Sequence, residues 1–315
     1  METYDLAIIG GGPAGVAAGV YAARKKLKTV FITFDWGGQS IVSEEIQNWI
    51  GTPKVSGPEL AKNLENHLRQ YEGEDLKIIT GKKVQEIKLG GLASKLPGFQ
   101  IITDEGENYE ARTVLITTGA DRRRLNVPGA KEFEQKGITY CASCDGPLFA
   151  DKDVVVIGGG NAAFESAAQL LAYCRSVTLL HRSDKFRADA ITIEKVKQNP
   201  KFKIITNAEP VEFKGNGFLE SLTYRLTTTG ETRELATTGV FVEIGLLPTT
   251  SFVKDLVKLN QYNQIIVDPR TQRTSVAGVW AAGDCADGLY HQNNIAAGDA
   301  VKALEDIYNF LHLAK

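Results

Sequence analysis

The 315-residue sequence is poor in the features that mark several classes of protein. It has four cysteines, of which only Cys141 and Cys144 lie close together, so it does not resemble a secreted domain held together by disulfides. Its formal net charge of −2 gives no electrostatic reason to expect nucleic acid or an anionic membrane as a partner. No apolar run approaches the length of a transmembrane helix. These features predict an ordinary globular protein.

The beginning of the chain also lacks a targeting signal. Residues 1–4 lead directly into a short apolar strand, without the basic region and the long apolar stretch of a signal peptide. We therefore expect a cytoplasmic protein in a reducing compartment. The length exceeds what a single hydrophobic core usually supports, which predicts two domains.

What the chain does have is glycine in two informative places. At the first, an apolar strand at residues 5–9 precedes Gly10-Gly11-Gly12-Pro13-Ala14-Gly15, and an Ala-rich helix over residues 16–25 follows. This is the order of a dinucleotide-binding fold, in which glycines allow a tight turn, close approach to a pyrophosphate and close packing of helix on strand. Asp35, after a further strand at residues 29–34, lies near the position of an acid that binds a ribose hydroxyl; the alternative, suggested by the residues that follow it, is a simple loop residue.

The same order recurs later in the chain. A strand at residues 154–157 is followed by Gly158-Gly159-Gly160-Asn161-Ala162-Ala163 and by a helix to about residue 173. The next strand ends in His181-Arg182, with Arg187 close behind, where an NAD site would place an acid. Arginines there suit a 2′-phosphate through bidentate bonds, which favours NADPH over NADH. The alternative is a solvated basic turn.

Two more strand-to-turn elements end at Thr118-Gly119 and at Gly283-Asp284, and a helix begins near Asn294. They imply that the second domain interrupts the first. The predicted first domain comprises residues 1–119 and 247–315, and the predicted inserted domain comprises residues 120–246.

The predicted fold class is α/β, with two Rossmann-like, three-layer ββα nucleotide-binding domains, the second inserted into the first. Strand-like runs at residues 84–89 and 99–103 are expected to add a small β-rich layer to the first domain.

The two neighbouring cysteines lie in Cys141-Ala142-Ser143-Cys144-Asp145, shortly before the second glycine motif. Two thiols at this spacing can form a reducible disulfide and share a thiolate of low pKa. They could equally be half of a zinc site, but no second CxxC or nearby His pair supplies the other two ligands, so we expect no metal. Asp145 is placed to exchange protons with the thiols, since a thiolate must be generated and a leaving thiolate protonated. The alternative is a residue that caps the turn.

In combination these motifs resemble the low-molecular-weight thioredoxin reductase family of flavoprotein disulfide reductases, with local similarity to the flavoprotein component of alkyl hydroperoxide reductase. The resemblance covers essentially the whole chain. The segments that carry it are residues 10–15, 37–39, 48–49, 118–120, 141–146, 158–165, 181–187 and 281–284.

The resemblance implies FAD in the first domain, and NADPH together with the redox pair in the inserted domain. It implies that Cys144 lies against the flavin, that Cys141 attacks the disulfide of a thioredoxin-like partner, and that Asp145 moves protons. It also implies a homodimer. The FAD contacts that we predict are Gly10, Gly12, Pro13, Ala14, Gly15, Asp35, Gly38, Gln39, Asn48, Thr118, Gly119, Gly283, Asp284 and the backbone near Gln292. The NADPH contacts that we predict are Gly158, Gly160, Asn161, Ala162, His181, Arg182 and Arg187.

The chain departs from the family in places. Ser183 follows Arg182 where the family has a second arginine, which predicts weaker discrimination against NADH, and His291 stands where the family usually has arginine. Residues 146–149 and 244–248 are more similar to the alkyl hydroperoxide reductase flavoprotein.

We predict a thioredoxin-disulfide reductase of the NADPH type, whose inserted domain rotates between half-reactions. One alternative is an NAD(P)H-dependent reductase that feeds a peroxiredoxin system through a separate carrier. Another is a flavin-based redox sensor without turnover.

Overall fold

The computed structural model describes residues 2–43, 45–90 and 98–313, and the chain divides into two structural units. Unit 1 is formed by Met1–Asp121 and Leu247–Lys315, and unit 2 by Arg122–Leu246. None of the helices in the described part of the chain combines the length and apolarity needed to span a bilayer.

The helices and strands are named here in chain order. The strands are β1 (Thr3–Gly11), β2 (Thr29–Trp36), β3 (Leu76–Thr80), β4 (Val84–Leu89), β5 (Phe99–Thr103), β6 (Asn108–Ile116), β7 (Ala120–Arg122), β8 (Ile138–Thr139), β9 (Asp153–Gly158), β10 (Ser176–Leu180), β11 (Phe202–Ile205), β12 (Ala208–Asn216), β13 (Phe218–Leu226), β14 (Thr232–Ala236), β15 (Gly239–Glu243), β16 (Leu246–Pro248) and β17 (Val279–Ala281). The α-helices are α1 (Pro13–Arg24), α2 (Gly57–Arg69), α3 (Ala142–Asp145), α4 (Asn161–Leu170), α5 (Ala190–Lys197) and α6 (Asn293–Leu313). Short 3-10 helices cover Gly38–Val42, Gly146–Phe149 and Ser251–Val253.

Unit 1 is built on a sheet in which β3, β2, β1 and β6 run parallel, and β17 pairs with β6 beyond them. Alternate residues of β1 pack into two hydrophobic cores, one on each face of the sheet. Leu6 and Ile8 pack under α1, α2 and α6, whereas Ala7 and Ile9 pack on the opposite face. Because both faces are covered, the strand is apolar almost throughout, as expected for a parallel sheet.

The hairpin formed by β4 and β5 confirms the two strands predicted at these positions. It pairs with the first half of β6 in antiparallel fashion, so hydrogen bonds join it to the main sheet. Ile87, Phe99 and Ile101 of the hairpin share a core with the sheet face that lies opposite α1. Residues 91–97, between these strands, lie outside the described residues.

Unit 2 has a parallel sheet in the order β11-β10-β9-β15-β8, with α4 and α5 against one face. The antiparallel strands β12, β13 and β14 pack against the other face. The chain moves outward from β9 to β10 and β11, and then returns to place β15 on the opposite side of β9, next to β8, which precedes β9 in the chain. In sheets of this kind the crevice between two such strands, at their carboxyl ends, is where ligands bind. In unit 2 that crevice lies between β9 and β15.

Two helices differ in length from the sequence-based prediction. α1 begins at Pro13 rather than at residue 16, because proline is well tolerated in the first turn, where its missing N–H has no helical partner. α4 ends at Leu170, and residues 171–173 continue only as turns. The α/β class is confirmed, with helices on one face of each parallel sheet and antiparallel strands on the other.

Candidate functional site

Cys141 and Cys144 form a disulfide, with their Cα atoms 5.3 Å apart. Cys141 is the N-cap of the four-residue helix α3, and its Sγ accepts a hydrogen bond from the Cys144 N–H at 3.1 Å. Between them, the Ser143 hydroxyl donates to Gln169 on α4 at 3.0 Å. Cys141 is half-buried and Cys144 is exposed. The disulfide is therefore held in one turn of backbone, anchored to the helix that follows the second glycine motif.

Asp145 ends α3 directly after Cys144, and its carboxylate accepts a hydrogen bond from the Thr139 hydroxyl. Burial raises the pKa of Asp145 above its ordinary value, while the Thr139 hydrogen bond and the Arg122 charge act in the opposite direction. The same Thr139 oxygen accepts from the Cys141 N–H at 3.5 Å. One buried hydroxyl thus links the acid to the first cysteine.

Arg122 lies at the start of unit 2, beside the residue that precedes the disulfide. Its guanidinium donates to the Tyr140 carbonyl oxygen and lies over the Tyr140 ring, 5.8 Å from the ring centroid. Burial raises the pKa of the Tyr140 hydroxyl. The cation therefore lies next to the redox turn.

The first glycine motif has the geometry of an anion cradle at the N-terminus of α1. A Cβ on Gly10, whose φ is +118°, would lie 2.4 Å from the Thr117 carbonyl oxygen, and a Cβ on Gly15 would lie 1.8 Å from the Gly10 carbonyl oxygen. Around Gly12, by contrast, no described atom lies within 4 Å of the position a Cβ would take. The backbone is packed where helix meets strand and open where a pyrophosphate would approach, so these residues fit a dinucleotide.

Four of the other predicted contacts of unit 1 gather near the start of α6. The Gln39 amide donates to the Asp284 carboxylate at 3.3 Å, and His291 Nδ1 lies 3.3 Å from the same side chain. The Asn48 amide donates to Gln292 at 3.4 Å. These pairs join the segment after β2 to the turn after β17 and to the start of α6.

The remaining predicted residues of unit 1 line the edges of this region. Gly38 lies beside Gly12, with its Cβ position 3.7 Å from the Gly12 Cα. A Cβ on Gly283, whose φ is +77°, would lie 3.4 Å from the Cβ of Ala14 on α1. The Thr118 hydroxyl donates to the Thr249 carbonyl oxygen at 2.7 Å, and Gly119 follows at φ +65°. Asp35 and Pro13 occupy the end of β2 and the first turn of α1, with the Asp35 side chain exposed.

The second glycine motif begins at the end of β9. Gly160 precedes α4 and, like Gly12, has no described atom within 4 Å of a Cβ position. The Asn161 side chain accepts from the Asp189 N–H at 2.8 Å, which ties the start of α4 to the start of α5. Ala162, one residue further, is exposed.

His181 is engaged within its own loop. Its ring lies against Gly159, where an added Cβ would come within 2.3 Å of the imidazole, and its Nε2 lies 3.1 Å from the Lys185 carbonyl oxygen. The Arg187 N–H donates to the Gly159 carbonyl oxygen at 2.8 Å, while its side chain and that of Arg182 are exposed. The loop therefore folds back on the glycine motif and leaves both guanidinium groups accessible to a ligand.

Three residues of this region were not predicted from the sequence. They are Thr139, Ser166 and Glu243. The Thr139 hydroxyl bonds the Asp145 carboxylate near the disulfide, and the Ser166 hydroxyl bonds the Glu243 carboxylate near the second glycine motif. A partial indication exists for Glu243, since it is a charged residue at the end of an apolar strand. Within the described residues, no group of three or more His, Cys, Asp or Glu side chains is placed to hold a metal ion.

Residues 4–300 match the sequence profile of the pyridine nucleotide-disulphide oxidoreductase family. The chain belongs to this family. It is 41% identical to the F component of the alkyl hydroperoxide reductase of Pseudomonas putida, over 96% of its own length and 57% of that protein. It is 36% identical to an NADH dehydrogenase of Bacillus subtilis over 98% of its own length and 59% of that protein. It thus spans less than two thirds of each of these relatives.

Among solved structures, thioredoxin reductase from Giardia duodenalis matches with a TM-score of 0.91 and 35% identity, over 99% of both chains. The resemblance to low-molecular-weight thioredoxin reductases and the two-domain Rossmann-like fold class are confirmed. Membership of the family implies the use of a flavin and a pyridine nucleotide.

Proposed function

We propose that this protein is an NADPH-dependent FAD flavoprotein that reduces the disulfide of a thioredoxin or thioredoxin-like protein. The observation that carries the proposal is the Cys141–Cys144 disulfide, held beside the half-buried acid Asp145 in the unit that bears the second glycine motif. The similarity to thioredoxin reductases supports it.

The chain's own residues would hold the two cofactors in separate units. In unit 1 the open backbone at Gly12 and the Gln39–Asp284 pair would hold FAD. In unit 2 the open backbone at Gly160 would hold the pyrophosphate of NADPH, and Arg182 with Arg187 would bind its 2′-phosphate. When bound, these cofactors supply the two electrons that reduce the Cys141–Cys144 disulfide.

The redox turn then carries out thiol–disulfide exchange. Reduction breaks the Cys141–Cys144 bond and adds two electrons and two protons, one of which Asp145 can deliver to a sulfur. The Cys141 thiol loses its proton, and the thiolate attacks the partner's disulfide, forming a mixed disulfide and releasing one partner thiolate, which takes up that proton. The Cys144 thiolate then attacks the Cys141 sulfur, which restores the internal disulfide and releases the second partner thiolate, which takes up a proton from water. Asp145 accepts the proton that Cys144 loses.

The same dithiol must be reduced inside the protein and then presented to a protein-sized partner. We therefore propose that unit 2 rotates between the two half-reactions. The chain passes between the units at β7 and β16, which pair as a two-stranded ribbon, and this ribbon would be the hinge. A homodimer is part of the proposal, and sedimentation of the FAD-loaded protein tests it.

A second candidate function is reduction of a peroxiredoxin system through a separate carrier. It is favoured by the 41% identity to the F component of an alkyl hydroperoxide reductase. Because the chain spans only 57% of that relative, the carrier would have to be another protein or another segment.

One experiment separates these functions. The FAD-loaded protein is reduced anaerobically with NADPH or NADH and then mixed with thioredoxin or with a peroxiredoxin-linked carrier, while flavin absorbance is followed. We expect faster reduction by NADPH and rapid re-oxidation by thioredoxin in the native protein, but no re-oxidation in Cys141→Ser and Cys144→Ser. Rapid re-oxidation by the carrier alone would support the second function. Failure of both nucleotides to reduce the flavin would overturn both and favour a sensor.

A further inference from the structure

Glu243 ends the apolar strand β15 at the ligand crevice of unit 2. Its Cα pairs with that of Gly158, the first glycine of the second motif, and its carbonyl oxygen would lie 2.4 Å from a Cβ on that glycine. β9 and β15 are the two strands between which the order of the sheet reverses. A charged residue is therefore placed at the carboxyl ends of the strands, where a nucleotide is expected to bind.

The side chain of Glu243 is bonded to the helix of the same motif. Its Oε1 accepts a hydrogen bond of 2.6 Å from the hydroxyl of Ser166, which is buried on α4. α4 begins directly after Gly160, whose open backbone fits a pyrophosphate. The Glu243 carboxyl thus connects β15 to the element that would bind the anionic part of the nucleotide.

Charged groups from two neighbouring elements act on the Glu243 carboxylate. The negative charge of Glu165 on α4 raises the pKa of Glu243, whereas the positive charge of Arg122 lowers it. Arg122 lowers the pKa of Asp145 as well. Directly after β10 stands His181, with its ring against Gly159. Burial raises the pKa of Glu243 to about 7 and Glu165 acts in the same direction, whereas Ser166 and Arg122 act against them. Near neutral pH the protein therefore contains both protonation states.

We propose that Glu243 is a proton-linked positioning residue of the pyridine-nucleotide site, which must be neutral for the anionic nucleotide to bind tightly. This inference rests on the proposed function, because it assumes that the second glycine motif binds a nucleotide. The physical reason is repulsion between a carboxylate at the end of β15 and the pyrophosphate held at the start of α4. The neutral acid removes that repulsion and keeps a hydrogen bond to Ser166.

The sign of the effect follows from linkage. A bound pyrophosphate disfavours the carboxylate, so nucleotide binding raises the pKa of Glu243 and takes up a proton. Affinity is highest below the pKa of the free protein and declines as pH rises through it. If binding raises that pKa by about 1 unit, the Kd increases about eightfold between about pH 6 and about pH 9.

The experiment is isothermal titration of the FAD-loaded protein with NADP⁺ and with NAD⁺, neither of which can donate a hydride. Titrations across this pH range, each in two buffers of different ionisation enthalpy, give the Kd and the number of protons taken up. The 2′-phosphate of NADP⁺ titrates as well, but equally in native protein and variants, so the difference between them reports Glu243. In Glu243→Gln the Kd should lack the part of its pH dependence that Glu243 contributes, and the variant should take up correspondingly fewer protons on binding. Glu194→Gln, an exposed change on α5, is the matched control and should behave like the native protein.

If Glu243→Gln does not fold, a second variant still tests the inference. Ser166→Ala removes the donor that stabilises the carboxylate, so the loss of affinity should move to higher pH. Equal pH dependence and proton uptake in the native protein and Glu243→Gln would overturn the inference while leaving the proposed function intact. So would an unmoved profile in Ser166→Ala. If neither nucleotide binds at any pH, the proposed function itself fails.

Discussion

Replacement of Thr139 by valine tests how the protein controls the acid beside its disulfide. The Thr139 hydroxyl donates to the Asp145 carboxylate and accepts from the Cys141 N–H, and the residue as a whole is 4% exposed. Valine has nearly the same shape but cannot donate. The carboxylate of Asp145 then loses its hydrogen bond, while the protonated form loses less.

The size of the effect can be worked from these contacts. A hydrogen bond to a charged group contributes about 1.5–3 kcal/mol and a neutral one about 1 kcal/mol. The difference corresponds to about 1 pKa unit, reduced to about 0.5–1 unit because Asp145 is only half-buried and solvent screens it. Thr139→Val should therefore raise the pKa of Asp145 further, by about that amount. Thr139→Ser, which keeps the hydroxyl, should leave it within about 0.3 unit.

The assay is a pH titration of the infrared absorbance of protonated carboxyl groups, with Asp145→Asn as the blank that isolates the Asp145 band. A kinetic readout accompanies it: reduction of the disulfide by a water-soluble phosphine, in which a protonated Asp145 supplies a proton to the leaving thiolate. The rate should decline at a higher pH in Thr139→Val than in the native protein, and this decline should vanish in Asp145→Asn. An unchanged Asp145 titration in Thr139→Val would refute the role assigned to this hydroxyl.

Three further predictions concern the rest of the two units. Gly12→Ala should fold normally and lose at least about tenfold in FAD affinity, whereas Gly10→Ala should lower the free energy of unfolding by about 2 kcal/mol. Thermal melting and flavin binding separate the two effects, and equal stability of the two variants would contradict the packing described. The positive charge of Arg122 lowers the pKa of Asp145 and of Glu243, so Arg122→Ala should raise each of these pKa values by about 0.5 unit in the infrared titration; a downward shift would contradict this. Burial raises the thiol pKa of Cys174 and Cys285 to about 11, so only about one thiol in a thousand is ionised at about pH 8. Alkylation of the reduced, folded protein should therefore label only Cys141 and Cys144, and labelling of all four cysteines would show that the buried thiols become exposed.

The glycine motifs were predictable because their constraints are local. Gly10, Gly12 and Gly15 act within one strand, one turn and one helix, and their spacing specifies the geometry without reference to distant residues. The redox pair was predictable for the same reason. Its two cysteines and Asp145 occupy a single helical turn.

The residues that adjust this chemistry were not predictable, because distant parts of the chain bring them together. Ser166 and Glu243 are 77 positions apart and meet only when β15 pairs with β9 beneath α4. Thr139 reaches Asp145 from β8, a strand of two residues that is defined by its pairing with β15. The β12–β14 layer escaped prediction too, since β12 and β14 are largely half-buried or exposed and give no clear alternation.

The central claim is that a nicotinamide nucleotide reduces the Cys141–Cys144 disulfide. The most direct measurement adds one equivalent of NADPH to the FAD-loaded protein without oxygen, blocks thiols with an alkylating reagent and locates the labels by mass spectrometry. The account predicts one new label on Cys141 and one on Cys144 for each NADPH consumed. It is contradicted if NADPH is consumed and the flavin is reduced while both cysteines stay unlabelled in an intact disulfide.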